Sequence, residues 1–107
     1  NKWFGTSGGV SKFDGSTWIT YTTANSGLVD NKVISIAIDN SGNKWFGTYG
    51  TIGNGSGVSR FDGNNWTTYT TANSGLSNNR VDSMAIDGLG NKWFGTNGGG
   101  VTKYTGN

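Results

Sequence analysis

The 107 residues amount to one small domain, and eight basic against six acidic side chains leave a net charge of +2. The charges are scattered singly rather than clustered, which argues against nucleic acid as a partner. The chain has no cysteine or histidine, so disulfides, thiolate metal sites and the common histidine-based triads and zinc sites are excluded, while the redox compartment is left open. Apolar residues make up only 32%, yet five Trp, four Tyr and five Phe supply large surfaces for burial, and 20 Gly punctuate the chain. This balance points to an all-β, turn-rich domain rather than to disorder. No apolar run approaches the ~20 residues of a membrane helix, so no membrane insertion is expected.

Taken in order, the chain opens on Asn-Lys-Trp-Phe-Gly-Thr, and this hexapeptide returns at 43–48 and 91–96. Residues 2–22 read as three short strands separated by Gly-rich turns. The eleven residues Trp18 to Leu28 (WITYTTANSGL) recur almost unchanged at Trp66 to Leu76. Residues 33–39 (VISIAID) form the next β run, in which strict alternation groups Ile34, Ile36 and Ile38 on one face and Val33, Ser35 and Ala37 on the other. A turn at 39–43 leads to Lys44–Thr48, a Gly-rich loop to Gly57–Asp62, and an Asp-Gly turn to Trp66–Thr70. Residues 81–104 repeat the first three of these four strands.

Repeats of this length with several short strands per unit are the signature of propeller blades, each a four-stranded antiparallel meander. The chain therefore holds ten strands, or about 2.5 blades. It is expected to form one partial β-propeller over 1–107, with blade segments 1–28, 29–76 and 77–107. Trp45 and Phe46, adjacent and so on opposite faces of a strand, imply sheets stacked on both sides. The periodic tryptophans Trp3, Trp45 and Trp93, and the pair Trp18 and Trp66, are read as packing between blades. Because closed propellers have about 4–8 blades, the chain is expected either to join copies of itself head to tail or to be a segment between flanking blades of a longer chain.

The stretch Ile36 to Thr48 (IAIDNSGNKWFGT), followed by Gly57 to Asp62 (GVSRFD), resembles the two-component regulator propeller repeat. Asn1 to Asp14 and Ile86 to Tyr104 carry the same pattern, so the resemblance covers nearly the whole chain. The Gly-His and Trp-Asp signatures of WD40 repeats are absent. The resemblance implies propellers in the periplasmic sensor regions of hybrid histidine kinases, with a part in glycan-linked sensing, and hence a periplasmic or extracellular location.

Chemistry is sparse. All six acidic residues are Asp, and Asp14 with Asp62, like Asp39 with Asp87, sit at matching turn positions where a carboxylate bonds nearby backbone N–H groups. Neither paired-carboxylate hydrolysis nor a calcium loop fits this recurrence, and no catalytic residue, metal or cofactor is expected. The informative residues are those that break the repeat. Tyr49 to Ser56 replaces the Ser7-Gly8 of the first repeat and the Asn97 to Gly99 of the third in the loop after the second strand, an insertion of six residues relative to the first. Beside it, the connector Val29 to Lys32 becomes Ser77 to Arg80, and Ile34 becomes Asp82. Because these loops leave the same side of a meander, Tyr49, Ile52, Asn54, Asn31, Lys32, Asn79, Arg80, Asp82 and Asn97 are the candidate ligand-binding residues. The expected function is a non-catalytic binding module of a sensor or surface protein that presents this loop face to a glycan or protein ligand. The alternative is a structural unit that closes a ring as a homo-oligomer.

Overall fold

A computed structural model describes residues 1–50 and 52–105. Ten strands follow in order: β1 Lys2–Thr6, β2 Gly9–Phe13, β3 Trp18–Tyr21, β4 Val33–Ile38, β5 Lys44–Thr48, β6 Val58–Phe61, β7 Trp66–Tyr69, β8 Val81–Ile86, β9 Lys92–Thr96 and β10 Val101–Tyr104. They form three antiparallel meanders, β1-β2-β3, β4-β5-β6-β7 and β8-β9-β10, with each strand paired to its sequence neighbours. The central sheet is a complete four-stranded blade; the first lacks the strand that opens each unit and the third lacks the one that closes it.

The sheets stack face to face, and each joint has its own core. Between the first and second sheets lie Val10, Leu28, Val33, Phe46 and Phe61, with Trp3, Tyr21, Ile36 and Trp66 packed around them. Between the second and third lie Trp45, Val58, Leu76, Val81 and Phe94, with Tyr69, Met84 and Tyr104. Trp45 and Phe46 are both fully buried, one in each joint, which is why the hexapeptide needs bulk on both faces of a strand. The repeated block after the fourth strand has a structural role in these joints. Asn25 Oδ1 accepts from the Thr22 N–H, Ser26 Oγ donates to the Thr22 carbonyl, and the Leu28 N–H bonds back to Ser26 Oγ. The turn so fixed drops Leu28 into the first core, and Thr70, Asn73, Ser74 and Leu76 repeat it for the second.

The alternation expected along β4 is broken. A register shift between Val33 and Ser35 places Val33 opposite Thr48 and Ser35 opposite Gly47, leaving Ile34 as an extra residue. This β-bulge turns Val33 onto the Phe46 face with Ile36, instead of the Ser35 and Ala37 face. The same shift occurs between Val81 and Ser83, with Asp82 as the extra residue. Trp18 is 58% exposed and Trp93 37% exposed, since among the described residues no further sheet lies against the outer faces of the first and third meanders.

The glycine of the hexapeptide lets adjacent sheets meet. A Cβ on Gly47 would stand 2.6 Å from the Val81 carbonyl oxygen, and it would also strike the Ser35 hydroxyl, which donates to that carbonyl at 2.9 Å. Gly47→Ala is therefore expected to lower stability by about 1–3 kcal/mol through overpacking. At the equivalent Gly95 an added Cβ meets only Ser83 of its own sheet, so Gly95→Ala should be far milder. Urea denaturation of the two variants checks the difference.

Candidate functional site

The inserted loop grows from a fixed base. In the first sheet Thr6 Oγ1 donates to the Gly9 carbonyl, and in the third Thr96 Oγ1 donates to that of Gly100. In the central sheet Thr48 Oγ1 makes the same bond to Gly57 at 2.7 Å while accepting from the Ser56 N–H. The insertion is thus contained between the two ends of a threonine clasp that all three sheets share. Thr51, within it, lies outside the described residues.

Above the clasp the loop folds back on itself. Gly55 N–H donates to the Tyr49 carbonyl at 2.7 Å, and the Tyr49 N–H donates to that of Lys32 at 2.9 Å. Gly50, Gly53, Gly55 and Gly57 all have positive φ, between 77° and 98°, a conformation that L side chains resist. Gly55 also lies flush against the Asn79–Arg80 backbone, where a Cβ would collide with main-chain atoms. Two polar ties hold the loop to its neighbours: Ser56 Oγ bonds Asp30 Oδ2 at 2.7 Å, and Arg80 Nη1 donates to the Gly53 carbonyl at 3.3 Å.

The candidates divide into two groups. Tyr49, Arg80, Asp82 and Lys32 come together around one aromatic ring. The Arg80 guanidinium lies 4.5 Å from the Tyr49 ring centroid and Lys32 Nζ lies 5.7 Å from it, both within cation–π range. Arg80 Nε donates to Asp82 Oδ1 at 2.8 Å, so the bulge that displaces Asp82 from strict alternation also places it beside the arginine. Ile52, 83% exposed, and Asn54, also exposed, lie in the same inserted loop as Tyr49. Asn31, Asn79 and Asn97 are engaged in holding backbone. Asn31 Oδ1 accepts from the Thr23 N–H and Asn79 Oδ1 from that of Thr71. The Asn97 N–H donates to the Arg80 carbonyl, and its own carbonyl accepts from Asn78 Nδ2.

Next to the cluster, between the loops of the first and second sheets, lies an open cleft of about 470 Å³ lined by Ser7, Thr23, Val29, Asp30, Asn31, Lys32, Gly50 and Ser56. Its wall is mostly hydroxyl, amide and charged groups. Ser7, Thr23, Asp30 and Ser56 were not among the candidates. Asp30 and Ser56 sit inside the segments that break the repeat, which is the signal that points to them, whereas nothing in the sequence marks Ser7 or Thr23.

The other carboxylates are committed elsewhere. Asp39 accepts from the N–H groups of Ser41 and Asn43, from Asn43 Nδ2 and from Trp45 Nε1, each at 3.0 Å. Burial pushes its carboxyl up, but these donors, the Trp45 indole foremost, outweigh that and hold it at about 2. Asp87 is likewise held at about 2, chiefly by the Trp93 indole and the Asn91 side chain. Asp14 and Asp62 are lowered by the two backbone N–H groups that each accepts from its own turn.

No protein-family profile matches the chain, and no curated protein matches it. Among solved structures it is similar to the extracellular domain of a hybrid two-component system, BT3049, from B. thetaiotaomicron, with 29% identity and a TM-score of 0.80 over 97% of this chain. The extracellular domain of BT4673, another hybrid two-component system of the same organism, shares the fold at 22% identity, with a TM-score of 0.70 over 94% of this chain. The chain spans only 14% and 13% of the length of those two proteins.

Proposed function

Starting from a chain built of two-component regulator propeller repeats, we propose that it is a non-catalytic binding segment. In this reading it belongs to the extracellular or periplasmic part of a sensor or surface protein and offers its loop face to a glycan or protein ligand. The observation that carries the reading is the inserted loop. It is the one place where the repeats differ by more than point changes, and it is hydrogen-bonded to Arg80 and Asp30. A fixed aromatic ring with cations over it, beside a polar cleft, suits recognition of a polar ligand at little ordering cost. The likeness to sensor extracellular domains agrees with this placement.

Glycan arrays and protein pull-downs with the 107-residue chain, repeated with Tyr49→Ala and Asn54→Ala, test the proposal. Each variant is expected to weaken binding about tenfold or more, the scale of losing one aromatic or polar anchor, with the circular dichroism unchanged. A ligand bound equally well by both variants would place recognition elsewhere.

A further inference from the structure

The dipeptide Asn-Gly occurs twice in the chain, at Asn54–Gly55 in the loop after β5 and at Asn97–Gly98 in the loop after β9. A glycine that follows an asparagine has no side chain to keep its backbone nitrogen away from the neighbouring carboxamide. Ring closure between the two is therefore sterically open at both sites, and the fold decides which can react. At 54–55 the Gly55 N–H donates to the Tyr49 carbonyl at 2.7 Å, and the Gly55 backbone lies against that of Asn79 and Arg80. The nitrogen can neither give up that proton nor turn towards the Asn54 side chain while the loop stays closed. At 97–98 only the first residue is anchored. The Asn97 N–H donates to the Arg80 carbonyl at 3.1 Å, and the Asn97 carbonyl accepts from Asn78 Nδ2 at 2.7 Å. Beyond that point Gly98 is exposed, and an added Cβ on it would meet nothing within 4 Å. Among the described residues neither the exposed Asn97 carboxamide nor the Gly98 N–H has a hydrogen-bond partner.

We propose that Asn97–Gly98 is a site of spontaneous covalent modification in the folded chain, and that the hydrogen bond from Gly55 to Tyr49 protects Asn54–Gly55 from the same reaction. The Gly98 nitrogen, its proton taken by solvent base, bonds to the carbonyl carbon of the Asn97 side chain. The carboxamide C–N bond breaks, and its nitrogen leaves as ammonia. Water then adds to one carbonyl of the cyclic imide and opens it to aspartate or isoaspartate at position 97. Either product adds a negative charge to the loop face. In the isoaspartate form the chain runs through the former side chain, so the main-chain carbonyl that accepts from Asn78 leaves its place. Asn78 Oδ1 in turn accepts from the Arg80 N–H at 2.9 Å, so the change passes to the connector that carries Arg80.

Ageing the 107-residue chain at mildly alkaline pH, with ion exchange and peptide mapping by mass spectrometry, tests this. Acidic species modified at position 97 should accumulate about tenfold or more faster than any modified at position 54, because a bonded N–H reacts only through locally opened states. In denaturing urea the two sites should react at similar rates; a difference that persists there would assign the rates to sequence and overturn the structural account. Asn97→Gln, whose longer side chain closes the ring poorly, should abolish the early acidic species with the circular dichroism unchanged. An Asn97 that stays intact in the folded chain, an Asn54 that reacts as fast, or early species that survive Asn97→Gln would each overturn the proposal. Hydrogen exchange of the Arg80 amide should be faster in the isolated isoaspartate form, and an unchanged rate would overturn the passage to Arg80. None of these readouts depends on a ligand at the loop face.

Discussion

Replacing Trp45 by alanine should lower the stability of the chain by about 3–5 kcal/mol. The side chain is fully buried and touches both its own and the next sheet, with the Tyr69, Phe94 and Tyr104 rings at 5.6–6.0 Å. Its loss removes the largest apolar surface in the second joint and opens a space that fixed strands cannot refill. The change also strips one donor from the Asp39 carboxylate. Against a typical total of about 5–15 kcal/mol, such a loss brings a small domain close to unfolding at room temperature. Trp93→Ala is the internal control: the same residue of the same hexapeptide, already 37% exposed, should lose only about 1–2 kcal/mol. Urea denaturation followed by circular dichroism gives both values. Equal losses at the two positions would show that sheet stacking is not what makes Trp45 matter.

Asp39→Asn is the second large effect expected, about 2–3 kcal/mol. The substitution removes the negative charge facing Lys92, whose side chain is almost wholly buried, and replaces an oxygen that accepts hydrogen bonds with an amide that donates them. Asp87→Asn breaks the same local pattern on an open face and should be much less harmful. The sign of the pH dependence follows from the same geometry. The Asp39 carboxyl is held at about 2 in the folded chain against an ordinary value of 3.8. The folded state therefore binds fewer protons than the unfolded one between those values, and the contribution of Asp39 is complete above about pH 4 and fades as the pH falls towards 2. Asp87, Asp14 and Asp62 shift in the same direction and steepen the loss. Thermal melts from pH 5 to pH 2 should show the melting temperature falling throughout, with a shallower fall for Asp39→Asn.

The repeats made most of the architecture readable. Three copies of one hexapeptide and two of the WxTYTTANSGL block mark β1, β5, β9, β3 and β7, and the β runs and turn residues between them mark the other five strands. Two features escaped. The bulge at Ile34 has no marker in the VISIAI run, so Val33 changes face without any change in pattern. The Asp39–Lys92 contact crosses a joint, and periodicity within one repeat is silent about what the next repeat brings opposite it. At the loop face the insertion marks a break in the repeat, but not which side chains meet there. The seating of Arg80 over Tyr49 depends on a run of positive-φ glycines that folds the loop back. Asn31 and Asn79, conspicuous in the sequence as loop amides, turn out to brace the turn that ends each fourth strand.

The threonine clasp has a consequence for how such a surface changes over generations. Thr48 and Gly57 close over nine positions what Thr6 and Gly9 close over three, with bonds of 2.7 and 2.9 Å. Lengthening a flexible loop threefold raises its closure entropy by only about 1 kcal/mol. The strands beneath keep their pairing while the segment above is free to vary in length and composition. A repeat with this base can acquire a new recognition element in one insertion, without renegotiating the packing of its neighbours.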